Sequence, residues 1–108
     1  MPSALPYGNA NKLNLIDVTI SPVSVAANTT AAQNFALPGV IFGQDFVFDV
    51  TKPTEQAGLA LGAYRVSAAN QITIVFVNDT AAPIVPTAGE TYTIGVLRRD
   101  GPAIRNMS

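Results

Sequence analysis

The sequence predicts an all-β protein, a single-domain antiparallel β-sandwich or jelly roll with an extended N-terminal arm. Three observations support this fold class. The chain has 108 residues, which is the size of one domain. Segments in which apolar and polar residues alternate recur about every ten residues, giving about seven or eight short strands. Turn-forming Gly, Pro, Asn and Asp residues separate these segments.

Residues 1–11 are predicted to be the extended arm, because they combine two prolines, a glycine and two asparagines without a helix or strand period. The sandwich domain is expected to span residues 12–99. Its first strand covers residues 12–20, and the apolar phase switches between Leu15 and Ile16. This switch predicts either a β-bulge at that point or a strand that is buried on both sides.

Two further strands are predicted at residues 33–37 and 45–50. Alternation in the second strand places its two phenylalanines on one face and Asp45 and Asp49 on the other. The two aspartates would lie about 13 Å apart, which is too far for a paired-carboxylate catalytic site. They are therefore interpreted as solvated charges, and all five phenylalanines of the chain are assigned to the core.

The second half of the chain contains one segment with helical character, residues 53–62, which Gly58 and Gly62 limit to one or two turns. Gly95 is expected to mark a bulge or a close backbone approach. Residues 100–108 are predicted to be a polar tail. Strands are predicted at residues 63–67, 71–77 and 91–97. The strand at 71–77 is apolar on both faces, as expected in the middle of a sheet or at an interface.

The composition argues against most enzymes. Histidine and cysteine are absent, so serine–histidine and cysteine–histidine catalytic pairs cannot form within the chain. No glycine-rich phosphate-binding motif is present, and we expect no cofactor and no metal. The net charge of −1 gives no electrostatic argument for nucleic acid. No membrane contact is expected, because no stretch approaches the roughly 20 apolar residues of a spanning helix. The two glycosylation-like sequences, at Asn28 and Asn78, are interpreted as turns.

Charge and hydropathy predict contact with other chains. Charged residues make up 12% of the sequence, against about 25% in typical proteins, and the mean hydropathy is +0.30. A small domain cannot bury this much apolar surface, so part of it is expected to lie outside and to contact partners. The alternative is a free monomer with a surface rich in threonine and asparagine.

Three residues are candidate partner contacts. Tyr7, in the predicted arm, is interpreted as an anchor that fills a pocket on a neighbouring subunit, or as a flexible exposed side chain. Arg98 and Arg99, at the end of the last predicted strand, are interpreted as contacts at the rim of an oligomer interface or as a solvated strand end.

One stretch of the sequence carries a wider pattern. It combines Gly62-Ala63 and the run Arg65-Val66-Ser67-Ala68-Ala69-Asn70, then Ile72, Ile74, Phe76, Asn78 and Thr80, and finally Ala88-Gly89, Tyr92 and Thr93. In this pattern the sequence resembles the C-terminal half of a family of small tailed-bacteriophage virion proteins. The pattern is interrupted by Tyr64 and by Glu90-Thr91, and residues 23–53 look similar to the first half of the family.

The resemblance implies a structural virion protein on the capsid surface. Subunits of this kind often serve as head decoration (cement) proteins, and such a subunit would bind the major capsid protein as a homotrimer and stabilise the shell. A head-fibre or tail-fibre module that binds a host receptor or a glycan is the alternative. The shared motifs are turns and strands, so the resemblance assigns no site residue.

Overall fold

The computed structural model describes residues 10–99, which form six strands and no helix. The strands are β1 (Ala10–Ile20), β2 (Thr29–Ala36), β3 (Asp45–Thr51), β4 (Leu59–Ala68), β5 (Gln71–Asn78) and β6 (Glu90–Arg99). The first strand begins two residues earlier than predicted. The predicted tail, and the predicted arm apart from its last two residues, lie outside the described residues.

The strands form two antiparallel sheets, which confirms the all-β class. The first sheet has the order β1-β6-β3 and the second has the order β2-β5-β4. Buried side chains from both sheets belong to one hydrophobic cluster. The segments before β2 and before β6 are joined by an isolated bridge between Val25 and Ile84, with two backbone hydrogen bonds of 2.8 and 3.0 Å.

The central strands of the two sheets together supply six of the twelve buried hydrophobic residues of this core. Alternate residues of β5 and of β6 are almost fully buried, as alternation along a strand requires when one face is covered. These side chains are Ile72, Ile74 and Phe76 of β5 and Tyr92, Ile94 and Val96 of β6. Phe35 of β2 meets Phe76 edge to face, with ring centroids 6.4 Å apart. The strand predicted at residues 71–77 is confirmed, and of the two positions expected for it, the middle of a sheet or an interface, it occupies the middle of the second sheet.

The predicted helix at residues 53–62 is wrong. The segment forms turns and then enters β4 at Leu59. Gly58 adopts a φ of +80°, which ends any right-handed helix, and a Cβ at this position would lie 2.1 Å from Thr80 Cγ2. Leu59 and Leu61 pack against the core from the new strand, so burial favours the extended conformation.

A β-bulge in β3 overturns the predicted alternation of residues 45–50. The register with β6 shifts between Val47 and Asp49, so Phe48 is the extra residue of a bulge. Asp45 consequently faces the inside and is 2% exposed, whereas Asp49 is exposed on the outside. The interpretation of both aspartates as solvated charges on one face is therefore wrong for Asp45.

The assignment of all five phenylalanines to the core is also wrong. Phe76 is buried and Phe35 packs against the core, but three others are largely exposed. These are Phe42 in the connection before β3 and Phe46 and Phe48 within it. The reason for the two in β3 is the bulge, since it leaves both rings on the outer side of the sheet.

The apolar phase switch in β1 has a different cause from either one predicted. The register with β6 is continuous from Lys12 to Ile20, so no bulge lies between Leu15 and Ile16. Ile16 and Ile20 turn toward the core, and Leu13 and Leu15 point to the opposite side, where they are exposed. The expected close approach at Gly95 is confirmed, because a Cβ there would lie 2.6 Å from Cζ of the Phe48 ring.

Asn78 organises the connection after β5 through its side chain. The amide nitrogen donates to the carbonyl oxygens of Val25 at 3.0 Å and of Ala82 at 2.9 Å. The amide oxygen accepts from the backbone N–H of Thr80 at 2.9 Å and from its hydroxyl at 2.7 Å. The interpretation of this sequon as a turn is confirmed, and the amide nitrogen that glycosylation requires is held inside the protein.

Candidate functional site

The outer face of the β1-β6-β3 sheet carries a group of exposed apolar side chains. Pairing across the strands places Leu13, Leu97 and Phe46 in one row. The next row contains Leu15, Gly95 and the exposed Asp49, with the Phe48 ring lying over the glycine. Leu13 is 68% exposed, Leu15 71%, Phe46 46% and Phe48 45%. We call this group of five side chains, Leu13, Leu15, Phe46, Phe48 and Leu97, the apolar patch.

Polar rows adjoin the apolar patch on the same face. The Thr93 hydroxyl donates to Asp17 at 2.9 Å, and the hydroxyls of Thr19 and Thr91 are hydrogen-bonded at 2.8 Å. The face is therefore divided into a mainly apolar half, near the start of β1 and the end of β6, in which Asp49 is the acidic side chain, and a polar half at the other end. An apolar centre beside a hydrogen-bonded polar margin is the usual composition of a protein interface.

Arg99 lies at the outer margin of the apolar patch. Its guanidinium carbon is 5.7 Å from the centroid of the Phe46 ring, which is within the range of a cation–π contact. The Nε atom of Arg99 makes no hydrogen bond with the described residues. The prediction that Arg99 contacts a partner at a rim is therefore compatible with its position, and it stays a prediction.

Arg98 points to the other side of the sheet and forms an internal ion pair with Asp45. Nε and one terminal nitrogen of Arg98 donate to the two carboxylate oxygens at 2.6 and 2.7 Å, in a bidentate arrangement. The same terminal nitrogen, Nη2, also donates to the carbonyl oxygen of Gly39, and the Ile41 N–H donates to Asp45 at 2.7 Å. This network connects β3, β6 and the Pro-Gly turn at Pro38 and Gly39, which follows β2.

Hydrogen bonding controls the protonation of this pair. The bond from Arg98 is the main reason that the pKa of Asp45 lies below its ordinary value, and the Ile41 N–H acts in the same direction against the effect of burial. The pKa of Arg98 is raised by the same bond. Arg98 is thus engaged within the subunit, and its predicted role as a partner contact stays untested. Tyr7 lies outside the described residues.

We predict that the protein loses stability below about pH 4. Hydrogen bonds lower the pKa of Asp45, and those from Thr54 and Lys52 lower the pKa of Glu90. A carboxylate whose folded pKa is below its unfolded value of about 4 contributes stability at neutral pH, and this contribution is lost as the pH falls through the folded pKa. Urea titrations should give a free energy of unfolding that is flat above about pH 5 and falls below it.

The variant Asp45→Asn provides the control for this pH dependence. It should be less stable than the natural protein at neutral pH, and its stability should decline less on acidification because one titrating group has been removed. Parallel declines for the two proteins would contradict the assignment of the acid response to Asp45.

The remaining features of the described residues offer little chemistry. A groove of about 340 Å³ between β3 and β4 is lined by Phe42, Phe46 and Tyr64, and its acidic member, Asp45, is already paired with Arg98.

Burial raises the pKa of Tyr92 to about 12, and Glu90 acts in the same direction. Within residues 10–99, no three acidic side chains cluster closely enough to hold a metal ion, and no helix could cross a membrane.

Comparisons with protein-family models, with curated proteins and with solved structures found no match to this chain. The candidate site therefore depends on its own geometry. Sequence reasoning did not identify the apolar patch, although it predicted that apolar surface would be exposed somewhere. The available signal was the phase switch in β1, since residues with the phase of Leu13 and Leu15 cannot face the same side as Ile16 and Ile20.

Proposed function

We propose that this protein is a structural subunit of a bacteriophage particle, a head decoration (cement) protein that binds the outer shell as an oligomer and stabilises it. The observation that carries the proposal is the apolar patch. Large leucine and phenylalanine side chains grouped on one face of a small domain are expected to be covered by another protein. The sequence resemblance supports the particle, the major capsid protein as partner, the location on the capsid surface and a homotrimeric assembly.

The arrangement of the two sheets supports the finer description of the fold as a β-sandwich. Both sheets contribute to one buried cluster, with Ile72, Ile74 and Phe76 from the second sheet and Tyr92, Ile94 and Val96 from the first. The packing of two antiparallel sheets over a shared core is the definition of that architecture. A rigid module of this kind suits a mechanical role, because it can connect shell subunits without changing shape.

The proposed mechanism is thermodynamic linkage. A subunit that binds the mature shell, and not its disassembled proteins, stabilises the shell by RT ln(1 + [L]/Kd), about 2.7 kcal/mol for each site at 100 times the Kd. The contacts would be noncovalent, since the chain has no cysteine. Burial of apolar side chains is then the main source of binding free energy.

The proposal is tested by adding the purified protein to phage heads that lack it. We expect saturable binding, measured as protein that co-sediments with the heads, and a higher temperature of shell disruption for the decorated heads. Heads that already carry the protein are the control and should bind no more. Absence of binding together with an unchanged disruption temperature would contradict the decoration function.

A further inference from the structure

We infer that residues 100–104, which follow β6, dock in the groove between β3 and β4 of the same chain, with the Ile104 side chain as the anchor. This inference goes beyond the proposed function, since it concerns how one subunit covers part of its own apolar surface. Three observations support it: the composition of the groove, the place where β6 ends, and the distance that each end of the described chain must span to reach the groove.

The groove is an apolar cleft at the side of the molecule where the edge strands β3 and β4 come together. Its volume is about 340 Å³, and the aromatic side chains of Phe42, Phe46 and Tyr64 line it. Phe42 is 61% exposed, so the described residues leave most of its ring uncovered. A concave site with aromatic walls can enclose an aliphatic side chain on several sides, which a flat sheet face cannot do.

The polar groups of the groove are compatible with an apolar occupant. Both carboxylate oxygens of Asp45 accept hydrogen bonds from Arg98, and Arg65 is exposed to solvent. The other lining side chains include Val47 and Val66. An uncharged aliphatic side chain can therefore enter the groove without leaving a buried charge unpaired.

The strand β6 ends beside one wall of the groove. The Arg99 N–H donates to the carbonyl oxygen of Gln44 at 3.0 Å, and Gln44 follows Phe42 by two residues. The sequence continues for nine residues past Arg99, and the first five are Asp-Gly-Pro-Ala-Ile. Gly101-Pro102 is a turn-forming pair, which suits a change of direction at the end of the strand. The chain that follows β6 thus starts next to the proposed docking site.

Residues 100–104 are long enough to reach the groove. Adjacent strands lie about 4.8 Å apart and packed sheets about 10 Å apart, so the path from β6 past β3 to β4 is about 15 Å. Five extended residues span about 17 Å. Ile104 is the first large aliphatic residue of this segment, so its side chain can lie between the rings of Phe42 and Tyr64.

The start of β1 is farther from the groove than the end of β6. The two strands are paired at Ala10 and Arg99, but β1 lies on the opposite side of β6 from β3. A segment that precedes Ala10 must cross two strand spacings before it reaches β3, so its path to the groove is about 20 Å. Tyr7 lies three residues before Ala10, and three extended residues span about 10 Å. The distances therefore favour Ile104 over Tyr7 as the occupant.

The first test is NMR spectroscopy of the full chain with labelled isoleucine methyl groups. We expect nuclear Overhauser effects between the Ile104 methyl groups and the ring protons of Phe42 and Tyr64. An isotope-filtered experiment on a mixture of labelled and unlabelled chains should not show them, because the contact lies within one chain. Contacts between chains only, contacts of Ile104 with Leu97 on the outer face instead, or no contact with the groove would overturn the inference.

The second test measures hydrogen exchange of the Arg99 amide. Ile104→Ser should make this amide exchange several-fold faster, because the docked segment holds the end of β6 against Gln44. Tyr7→Ser is the matched control, since it replaces a large side chain at the other end of the chain and should leave the exchange rate unchanged. An unchanged rate in Ile104→Ser, or an equal increase in Tyr7→Ser, would contradict the docking.

The third test approaches the contact from the groove. In a chain that carries Phe42→Ala, the further substitution Ile104→Ser should accelerate exchange of the Arg99 amide much less than it does in the natural protein, because the contact is already weakened. Independent effects of the two substitutions would show that the side chains do not meet. None of these measurements involves phage heads, so they decide the docking separately from the decoration function.

Discussion

Replacement of Asp45 by alanine is expected to lower the free energy of unfolding by about 3–4 kcal/mol, the lower part of the range for breaking a buried ion pair, because the Arg98 side chain is 28% exposed and water can partly replace the lost carboxylate. Asp45 is 2% exposed and accepts two hydrogen bonds from Arg98 and one from the Ile41 N–H. Without it, the guanidinium keeps only the carbonyl oxygen of Gly39 as a partner among the contacts described. Three segments, β3, β6 and the Pro-Gly turn, lose their common connection.

The measurement is chemical unfolding at pH 7, with Asp49→Ala as the matched control. Asp49 is a carboxylate of the same strand, but it is exposed and its bond with Thr51 is at the surface, so its loss should cost less than about 1 kcal/mol. Similar losses for the two variants would show that the internal pair contributes no more than a surface carboxylate. The bidentate geometry would then have no energetic consequence.

Asn78→Ala is expected to be the second most damaging substitution, with a loss of about 2–4 kcal/mol. The amide is 1% exposed and takes part in four hydrogen bonds, with Val25, Ala82 and Thr80. Alanine leaves the two carbonyl oxygens and the Thr80 N–H without these partners at a site from which water is largely excluded. The Val25 oxygen keeps its bond from the Ile84 N–H and the Ala82 oxygen keeps its bond from the Thr80 hydroxyl, so the cost comes mainly from the four lost bonds and from the Thr80 N–H, which loses its acceptor.

Hydrogen exchange can locate this effect. The Val25 and Ile84 amides bond to each other's carbonyl oxygens, and Asn78 contacts one of these residues directly. Both amides should exchange faster in Asn78→Ala than the global loss of stability explains. Asp79→Ala is the control because Asp79 is the exposed neighbour in the same turn. Unchanged protection of Val25 and Ile84 would contradict the proposed role of Asn78.

Substitutions of buried polar residues and substitutions in the apolar patch test different properties. The first change the stability of one subunit, and the second change its contacts with other chains. Asp45 and Asn78 act on the stability of one subunit, since their partners all lie within it. Leu13 and Leu15 are exposed and should affect contacts with other chains with little effect on folding. An assembly defect in Leu15→Ser at an unchanged melting temperature would therefore report on the interface itself.

Local pattern was sufficient for the fold class and for most strands. Apolar and polar residues alternate with a period of two at residues 91–97 and on each side of the phase switch in residues 12–20, and the run at 71–77 is rich in β-branched residues; both patterns are typical of strands. The positions of glycine, proline and asparagine predicted the turns, because few residues adopt the backbone angles of tight turns at low energetic cost. The low content of charge also showed that apolar surface had to be exposed.

Tertiary structure decided which face of each strand is covered, and the reason is physical. Period-two alternation separates Leu13 and Leu15 from Ile16 and Ile20, but only the packing of the second sheet selects the isoleucines for the core. The Phe48 bulge depends on the register with β6, and the internal pair joins Asp45 to an arginine 53 positions away. Contacts between residues so distant in the chain leave no local pattern, so the apolar patch and its polar margin became visible only when the strands were placed side by side.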